Sequence, residues 1–482
     1  MFTSTMFASI LPEILILVIG ILILVVEPFW KEEKRRNVGW LTAGGLLLAM
    51  IVSLLFARPG EPTMTLGGMV RFDWLGFFFK MLFMFAGAAT ALLFMDNEKI
   101  GHRGEAYLLL LASLLGMNLM AVSSDLVMLY LAIETTSIPL YILSGFMLAD
   151  DKSTEAGFKY LLFGALTSTI MLYGFSLVFG FSGTTNIYQL ADMLKAGNLP
   201  LVTAFGVLAL ILVGLGFKVS LVPFHFWAPD VYEGAPTPVS GFLSTASKAA
   251  GFAVLVRLFF VAFPDYAVSW TLAIAVLSAT TMTVGNLLTL QQTNIKRLLA
   301  YSSIAHAGYT LIGVVALSQL GAASVVFYLA AYIATNLLAF GIVMAFSRVT
   351  GSDEIKDYAG LSRRSPLLGL MMLAAFLSLA GMPPFGGFVA KVFVFAAGVQ
   401  AGYTWLVIVG ILNSIIGVYY YLNVLKYVYL YRMPNEDEEN HPVPLSRPYM
   451  IALVVLVAGV ILVGTVFAPW FSWSDAAALN LF

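Results

Sequence analysis

Six charged residues interrupt stretches that are otherwise apolar: Lys80, Glu134, Lys218, Lys248, Arg257 and Lys391. A charge at the centre of a membrane helix costs about 2.5–3.5 kcal/mol on insertion scales, so each needs a partner, water or a task. Glu134, Lys218, Lys248 and Lys391 lie well inside their stretches, and glutamate and lysine can both take up and release a proton. They are candidates for a proton relay, with static salt bridges between helices as the alternative. Desolvation drives a buried lysine toward neutrality and a nearby carboxylate drives it back toward charge, so moving the carboxylate would switch its proton affinity. Lys80 and Arg257 are expected to snorkel toward an interface. The chain has only four histidines, His102, His225, His306 and His441. His306 sits among small and hydroxylated neighbours in Tyr301-Ser302-Ser303-Ile304-Ala305-His306-Ala307-Gly308-Tyr309. It reads as a relay residue or as a satisfied core histidine. His225 reads as a linker hydrogen bonder, with the relay as its alternative. Gly214-Leu215-Gly216 lacks the third glycine of a dinucleotide fingerprint and lies in an apolar run, so it is set aside.

The elements that hold these charges follow from composition. Of 482 residues, 60% are hydrophobic and 11% charged, where a soluble domain carries roughly a quarter of its residues as charges. The chain is therefore expected to be an all-α integral membrane protein. Apolar stretches fall at 10–29, 39–57, 73–95, 106–122, 126–148, 157–182, 202–231, 239–263, 269–290, 297–317, 322–347, 367–398, 403–429 and 449–470. Each is close to the ~20 residues that cross a hydrocarbon core, which gives about 14 spans. The first ends in Glu27-Pro28 without a small-residue cleavage site and is read as retained.

Alternate connections on one side hold Lys31, Lys34, Arg35, Arg36, Lys99, Arg103, Lys152, Lys159, Lys296, Arg297, Arg348, Lys356, Arg363, Arg364, Lys426, Arg432 and Arg447. The other side holds only Arg58, Arg71 and Lys195. By the positive-inside rule the amino terminus is expected to face outward, opposite the cytoplasm. The acidic run Glu436, Asp437, Glu438 and Glu439 reads as a solvated cytoplasmic loop. A net charge of −1 gives no electrostatic case for nucleic acid. The absence of cysteine excludes disulfides, cysteine-ligated iron–sulfur clusters and cysteine nucleophiles. No redox cofactor or metal is expected in this chain.

Two lysines accompany helix breakers. Lys218 precedes Pro223, and Lys391 follows Gly381-Met382-Pro383-Pro384-Phe385-Gly386-Gly387. Proline removes a backbone donor, so the seventh and twelfth spans are expected to be broken. Broken helices at matching places in two halves mark ion sites between inverted repeats. The counting gives residues 1–105 as an N-terminal three-helix segment and 106–263 as a first five-helix unit. Residues 264–430 form a second, inverted unit, and 431–482 a cytoplasmic loop and last helix.

The stretch Gly214 to Gly251, GLGFKVSLVPFHFWAPDVYEGAPTPVSGFLSTASKAAG, resembles the signature of the antiporter-like membrane subunits of respiratory complex I. Gln292 to Ser303 and Leu379 to Pro384 resemble the same family, and the resemblance covers nearly the whole chain. It implies a proton-translocating unit of a membrane arm, beside sibling antiporter-like and small membrane subunits. NADH, flavin, iron–sulfur clusters and quinone would belong to partner subunits, and this chain would handle only protons and water within the lipid bilayer. It further implies that Glu134 and Lys218 form a switchable pair, that Lys248 continues a central polar axis and that Lys391 leads to the outer half-channel. Some relatives carry a histidine beside the eighth-span lysine. This chain has Ser244, Thr245 and Ser247 there, so hydroxyls or waters would bridge. A subunit of a cation/proton antiporter, a static structural subunit and a photosynthetic relative remain as alternatives.

Overall fold

A computed structural model of the chain describes residues 3–97, 99–195, 200–432, 441–479 and 481. The acidic run 436–439 lies outside the described residues. Long apolar runs become helices, and several start on a side chain that accepts from the first free backbone N–H groups. Asp73 accepts from Gly76, Asp125 from Val127 and Met128, Asn294 from Lys296 and Arg297, and Ser318 from Gly321. Among the described residues, 13 helices are long and apolar enough to cross a membrane. Two shorter ones, Pro366–Ala380 and Gly386–Gln400, together supply the remaining crossing. The protein is therefore an all-α membrane bundle of the expected size. Span 11, Gln319–Thr350, lies at its centre and is 94% buried over its most apolar window, whereas span 6, Asp151–Ser182, is 33% buried.

The broken spans have the same local build. Span 7 consists of Leu201–Val219 and Trp227–Gly234, and span 12 of Pro366–Ala380 and Gly386–Gln400. Each first half ends in a left-handed residue, Ser220 at φ 61° and Gly381 at φ 83°. The following N–H reaches back five residues, Leu221 to Gly216 at 2.7 Å and Met382 to Leu377 at 2.9 Å. The left-handed residues bond to Phe217 and Ser378, both at 3.0 Å. This is one Schellman cap used twice, and it satisfies carbonyls that would otherwise be orphaned within the membrane. Two residues before each cap stand Lys218 and Leu379, and ten after each stand Asp230 and Lys391. The breaks correspond, but the two lysines do not.

Two further departures from a regular helix were not expected. In span 8, Thr237–Ala262, the turns Leu243–Ser247 and Leu258–Ala262 are π-helical and flank Lys248–Arg257. The last span runs as Arg447–Thr465 and Phe467–Leu479, past the expected end at residue 470.

The basic connections meet on one face. Arg36, Arg348 and Ser446 all bind Asp96, and Lys296 pairs with Asp353 at 2.9 Å. The opposite face carries a hairpin, β1 (Thr63–Thr65) and β2 (Val70–Phe72). Gly68, between its strands, accepts from Ser124 and Asn186, both at 2.9 Å.

The expectation that Lys80 and Arg257 snorkel is overturned. Lys80 is 3% exposed and pairs with Glu13 at 2.8 Å; Arg257 is 2% exposed and grips both Asp73 oxygens, at 2.7 and 2.9 Å. Each found a carboxylate distant in sequence, which removes any reason to reach for the interface.

Candidate functional site

Lys218 closes the first half of span 7, and its Nζ donates to Ser137 Oγ at 2.9 Å. Ser137 stands one helical turn beyond Glu134 on span 5, Leu126–Ser144. Glu134 is close enough for its charge to act on Lys218, yet no ion pair joins the two. Its Oε1 is buried without a hydrogen-bond partner among the described residues. The pair implied by the family resemblance is thus separated here, with Ser137 holding the ammonium. A small cavity beside it is lined by Ser137, Tyr141, Thr167, Ser168 and Lys218.

Span 8 closes on span 7 at Gly251. A Cβ there would lie 2.5 Å from Val219 and 3.2 Å from the Lys218 side chain, so only glycine permits the approach. One turn away Lys248 is 2% exposed. Its Nζ donates to the Ser303 carbonyl at 2.9 Å and to the Ser303 hydroxyl at 2.8 Å. The bridging hydroxyl therefore comes from span 10, Ile295–Val315, and not from the neighbours on span 8. Ser244 is taken by Asn336 at 2.7 Å and Thr245 bonds back to Gly241 at 2.7 Å. The Tyr232 hydroxyl lies beside Ser220 and Ser303, between the two lysines.

From Ser303 the polar groups continue along span 10. His306 shares a hydrogen bond of 2.6 Å between Nδ1 and the Tyr328 hydroxyl, and one of 3.3 Å between Nε2 and the Tyr421 hydroxyl. Tyr421 also bonds Ser302. A second small cavity is lined by His306, Tyr328, Tyr332, Thr335 and Ser378, against the break of span 12. Lys391 lies 4.9 Å from the centroid of the Tyr309 ring. Its Nζ donates to the carbonyls of Leu379 at 3.2 Å and Ala380 at 3.0 Å, and to Ser414 Oγ at 2.9 Å. These carbonyls form the negative end of the first half-helix, which stabilises a cation without a carboxylate. At Gly381 the positive φ and the Lys391 side chain, 2.8 Å from a would-be Cβ, both demand glycine.

The structure therefore brings Lys218, Lys248, His306 and Lys391 onto one buried axis. His225 stays in the linker of span 7 beside Phe226, near enough for the Lys248 charge to act on it, and its Nδ1 has no hydrogen-bond partner among the described residues. Tyrosine and asparagine residues form the axis between the charges, and charge alone does not reveal them. A signal does exist: Tyr328, Tyr332 and Asn336 recur every four residues, one polar stripe on an otherwise apolar span. Asn336 donates to the Tyr332 hydroxyl at 3.0 Å. Among the described residues no three histidine, aspartate or glutamate side chains converge as a metal cage. The axis is a buried row of groups that can each bind a proton or a hydrogen-bond donor.

Known proteins are similar to this chain in sequence and fold. A family model described as NADH:quinone oxidoreductase/Mrp antiporter, TM, matches residues 123–417. The chain is 45% identical to NADH-quinone oxidoreductase subunit N of Moorella thermoacetica, covering 98% of each chain. It is 37% identical to a chloroplastic NAD(P)H-quinone oxidoreductase subunit 2 of Mesostigma viride, covering 98% of this chain and 96% of that one. A chain of respiratory complex I from Thermus thermophilus with bound aureothin superposes with a TM-score of 0.80 at 33% identity, over 96% of this chain and 98% of that one. A chain of the Mrp complex from Dietzia sp. DQ12-45-1b reaches 0.86 at 21% identity over 100% and 98%, a likeness of fold alone. With its helical bundle, paired breaks and buried lysine axis, the chain belongs to the NADH:quinone oxidoreductase/Mrp antiporter transmembrane family.

Proposed function

We propose that the chain is a proton-translocating membrane-arm subunit of an NADH–quinone oxidoreductase, of the subunit N kind. The buried axis from Lys218 through Lys248 and His306 to Lys391 carries this reading. Identity of 45% to a subunit N over nearly the full chain, against 21% to an Mrp chain, favours the oxidoreductase over a free-standing antiporter. Electron transfer, with its flavin, iron–sulfur clusters and quinone, belongs to partner subunits. Sibling membrane subunits flank this one in a bacterial inner membrane, with the hairpin face and the amino terminus outward. The matching caps at Ser220 and Gly381 support two inverted units, 106–263 and 264–430, between the flanking segments 1–105 and 431–482.

In this mechanism Glu134 and Lys218 alternate between contact and separation. Contact favours the ammonium; separation, with Ser137 as its partner, favours release toward Tyr232 and Lys248. Lysine suits that task and arginine, with a pKa above 12, does not. Lys218→Arg is expected to assemble and yet lose most proton pumping, and Lys218→Met to be impaired as well. The measurement is proton translocation in proteoliposomes holding the whole complex, with assembly followed on native gels. Normal pumping by the arginine variant, with failed assembly of the methionine variant, would make Lys218 a structural charge and end the relay reading.

A further inference from the structure

Glu13 and Lys80 lie outside both five-helix units and have no place in the axis described above. Glu13 is 5% exposed, and apart from its contact with Lys80 at 2.8 Å neither of its oxygens has a hydrogen-bond partner among the described residues. Lys80 also donates to the Ser9 carbonyl at 2.8 Å. Nearby stands a second buried pair, Asp73 with Arg257, and the two pairs differ in chemistry. Arginine does not release its proton, so Asp73–Arg257 is a fixed tie. Lysine and glutamate exchange one readily: an N–H bond of the Lys80 ammonium breaks and an O–H bond forms on Glu13, leaving an amine and a carboxylic acid.

Two further observations place space and polar groups between this pair and the hairpin face. First, a small cavity is lined by Ala8, Ser9, Pro12, Asp73 and Lys80. Pro12 has no N–H, so the Ala8 carbonyl lacks its helical donor beside that cavity. Secondly, the residue whose carbonyl holds Lys80, Ser9, sets its own hydroxyl, which donates to the Met6 carbonyl, against the hairpin. Ser9 Oγ lies 3.0 Å from Thr65 Oγ1, and Thr65 donates to the Val70 carbonyl at 3.4 Å, both within the hairpin strands. Depth agrees as well. Lys80 stands seven residues beyond Asp73 and Lys248 nine residues before Arg257. At the rise of an α-helix these are about 10 and about 13 Å from the shared Asp73–Arg257 tie. Lys80 therefore lies close to the depth of Lys248, on a helix packed against span 8.

We infer that Glu13 and Lys80 form a proton-exchanging pair, serving a passage between the membrane interior and the hairpin face through the N-terminal three-helix segment. This rests on the proton-pumping reading above.

The test uses the assembled complex in proteoliposomes. The double variant Glu13→Gln/Lys80→Met removes both charges together, so no uncompensated charge is left to disrupt assembly. Its coupled proton translocation is expected to fall by about tenfold or more, an amount below the range usual for losing an acid–base group. Lys80→Arg keeps the pair without a releasable proton and is expected to assemble and be impaired likewise. Should the double variant fail to assemble, the arginine variant decides alone. An assembled Lys80→Arg complex pumping at the wild-type rate makes the pair a static pin and overturns the inference. Lys218→Met is the reference: if it is impaired while the Glu13 and Lys80 variants pump normally, only this inference falls. If Lys218→Met also pumps normally, the pumping reading falls with it.

Discussion

Lys218, Lys248 and Lys391 are all buried lysines, yet each is held by different chemistry. Lys218 has a hydroxyl and a distant carboxylate, Lys248 a hydroxyl and a carbonyl, and Lys391 the carbonyl end of a half-helix. Among the described residues Lys218 alone of the three has a carboxylate whose charge acts on it, so on the relay reading the moving charge that switches the axis belongs there. Glu134→Gln is expected to assemble, since glutamine keeps shape and polarity, while quinone reduction and proton pumping fall together. Full pumping would remove Glu134 from the mechanism. Lys248→Ala and Lys391→Ala should resemble one another in pumped protons per NADH, because on the relay reading both lie on one polar axis along span 10, Lys248 at Ser303 and Lys391 at Tyr309. A wild-type ratio in either variant would place that lysine off the route. These charges were legible in the sequence because an ion in an apolar run contradicts its surroundings. The tyrosines were not, because a tyrosine fits an apolar helix and only its facing side makes it polar. Glu13 escaped for a third reason: it lies close to a span end, and its partner is 67 residues away.

The breaks in spans 7 and 12 were legible from proline and glycine, but their shared cap was not. Gly381 announces a left-handed residue; Ser220 does not, since serine seldom adopts φ 61°. That conformation costs a non-glycine residue about 1–2 kcal/mol. Ser220→Gly is therefore expected to stabilise the complex, by about 1 kcal/mol after glycine's own entropic cost. Ser220→Val should destabilise it, because a β-branched side chain fits the left-handed region worse still. Thermal unfolding midpoints in detergent check both, and equal midpoints for the two variants would show that the cap bears no strain. The π-turn ahead of Lys248 had no signal at all, because Leu-Ser-Thr-Ala-Ser contains neither proline nor glycine. It packs against spans 3 and 11, and such turns recur at functional sites.

Over the whole molecule, span count and the partition of basic loops followed from hydropathy and charge. The ties between distant segments did not, since no local pattern encodes them. Arg257 joins the end of span 8 to the cap of span 3 and to the Ala121 carbonyl of span 4, at 2.9 Å. Arg257→Met alone leaves Asp73 buried and unpaired and is expected to cost about 3–5 kcal/mol, seen as a lower unfolding midpoint and less assembled complex. Adding Asp73→Asn should recover much of that loss. A double variant as unstable as the single one would mean that the lost contact to Ala121, and not the bare carboxylate, is responsible.

The course of the axis along span 10 has an electrical consequence. Ser303, which holds Lys248, and Tyr309, which faces Lys391, are six residues apart. That is about 9 Å of helix rise, under a third of a hydrocarbon core about 30 Å thick. On the relay reading, a proton passing between the two lysines would cross less than a third of the voltage drop. Its equilibrium between them responds weakly to membrane potential. On the relay reading, most of the work against the field would fall outside the stretch between Lys248 and Lys391.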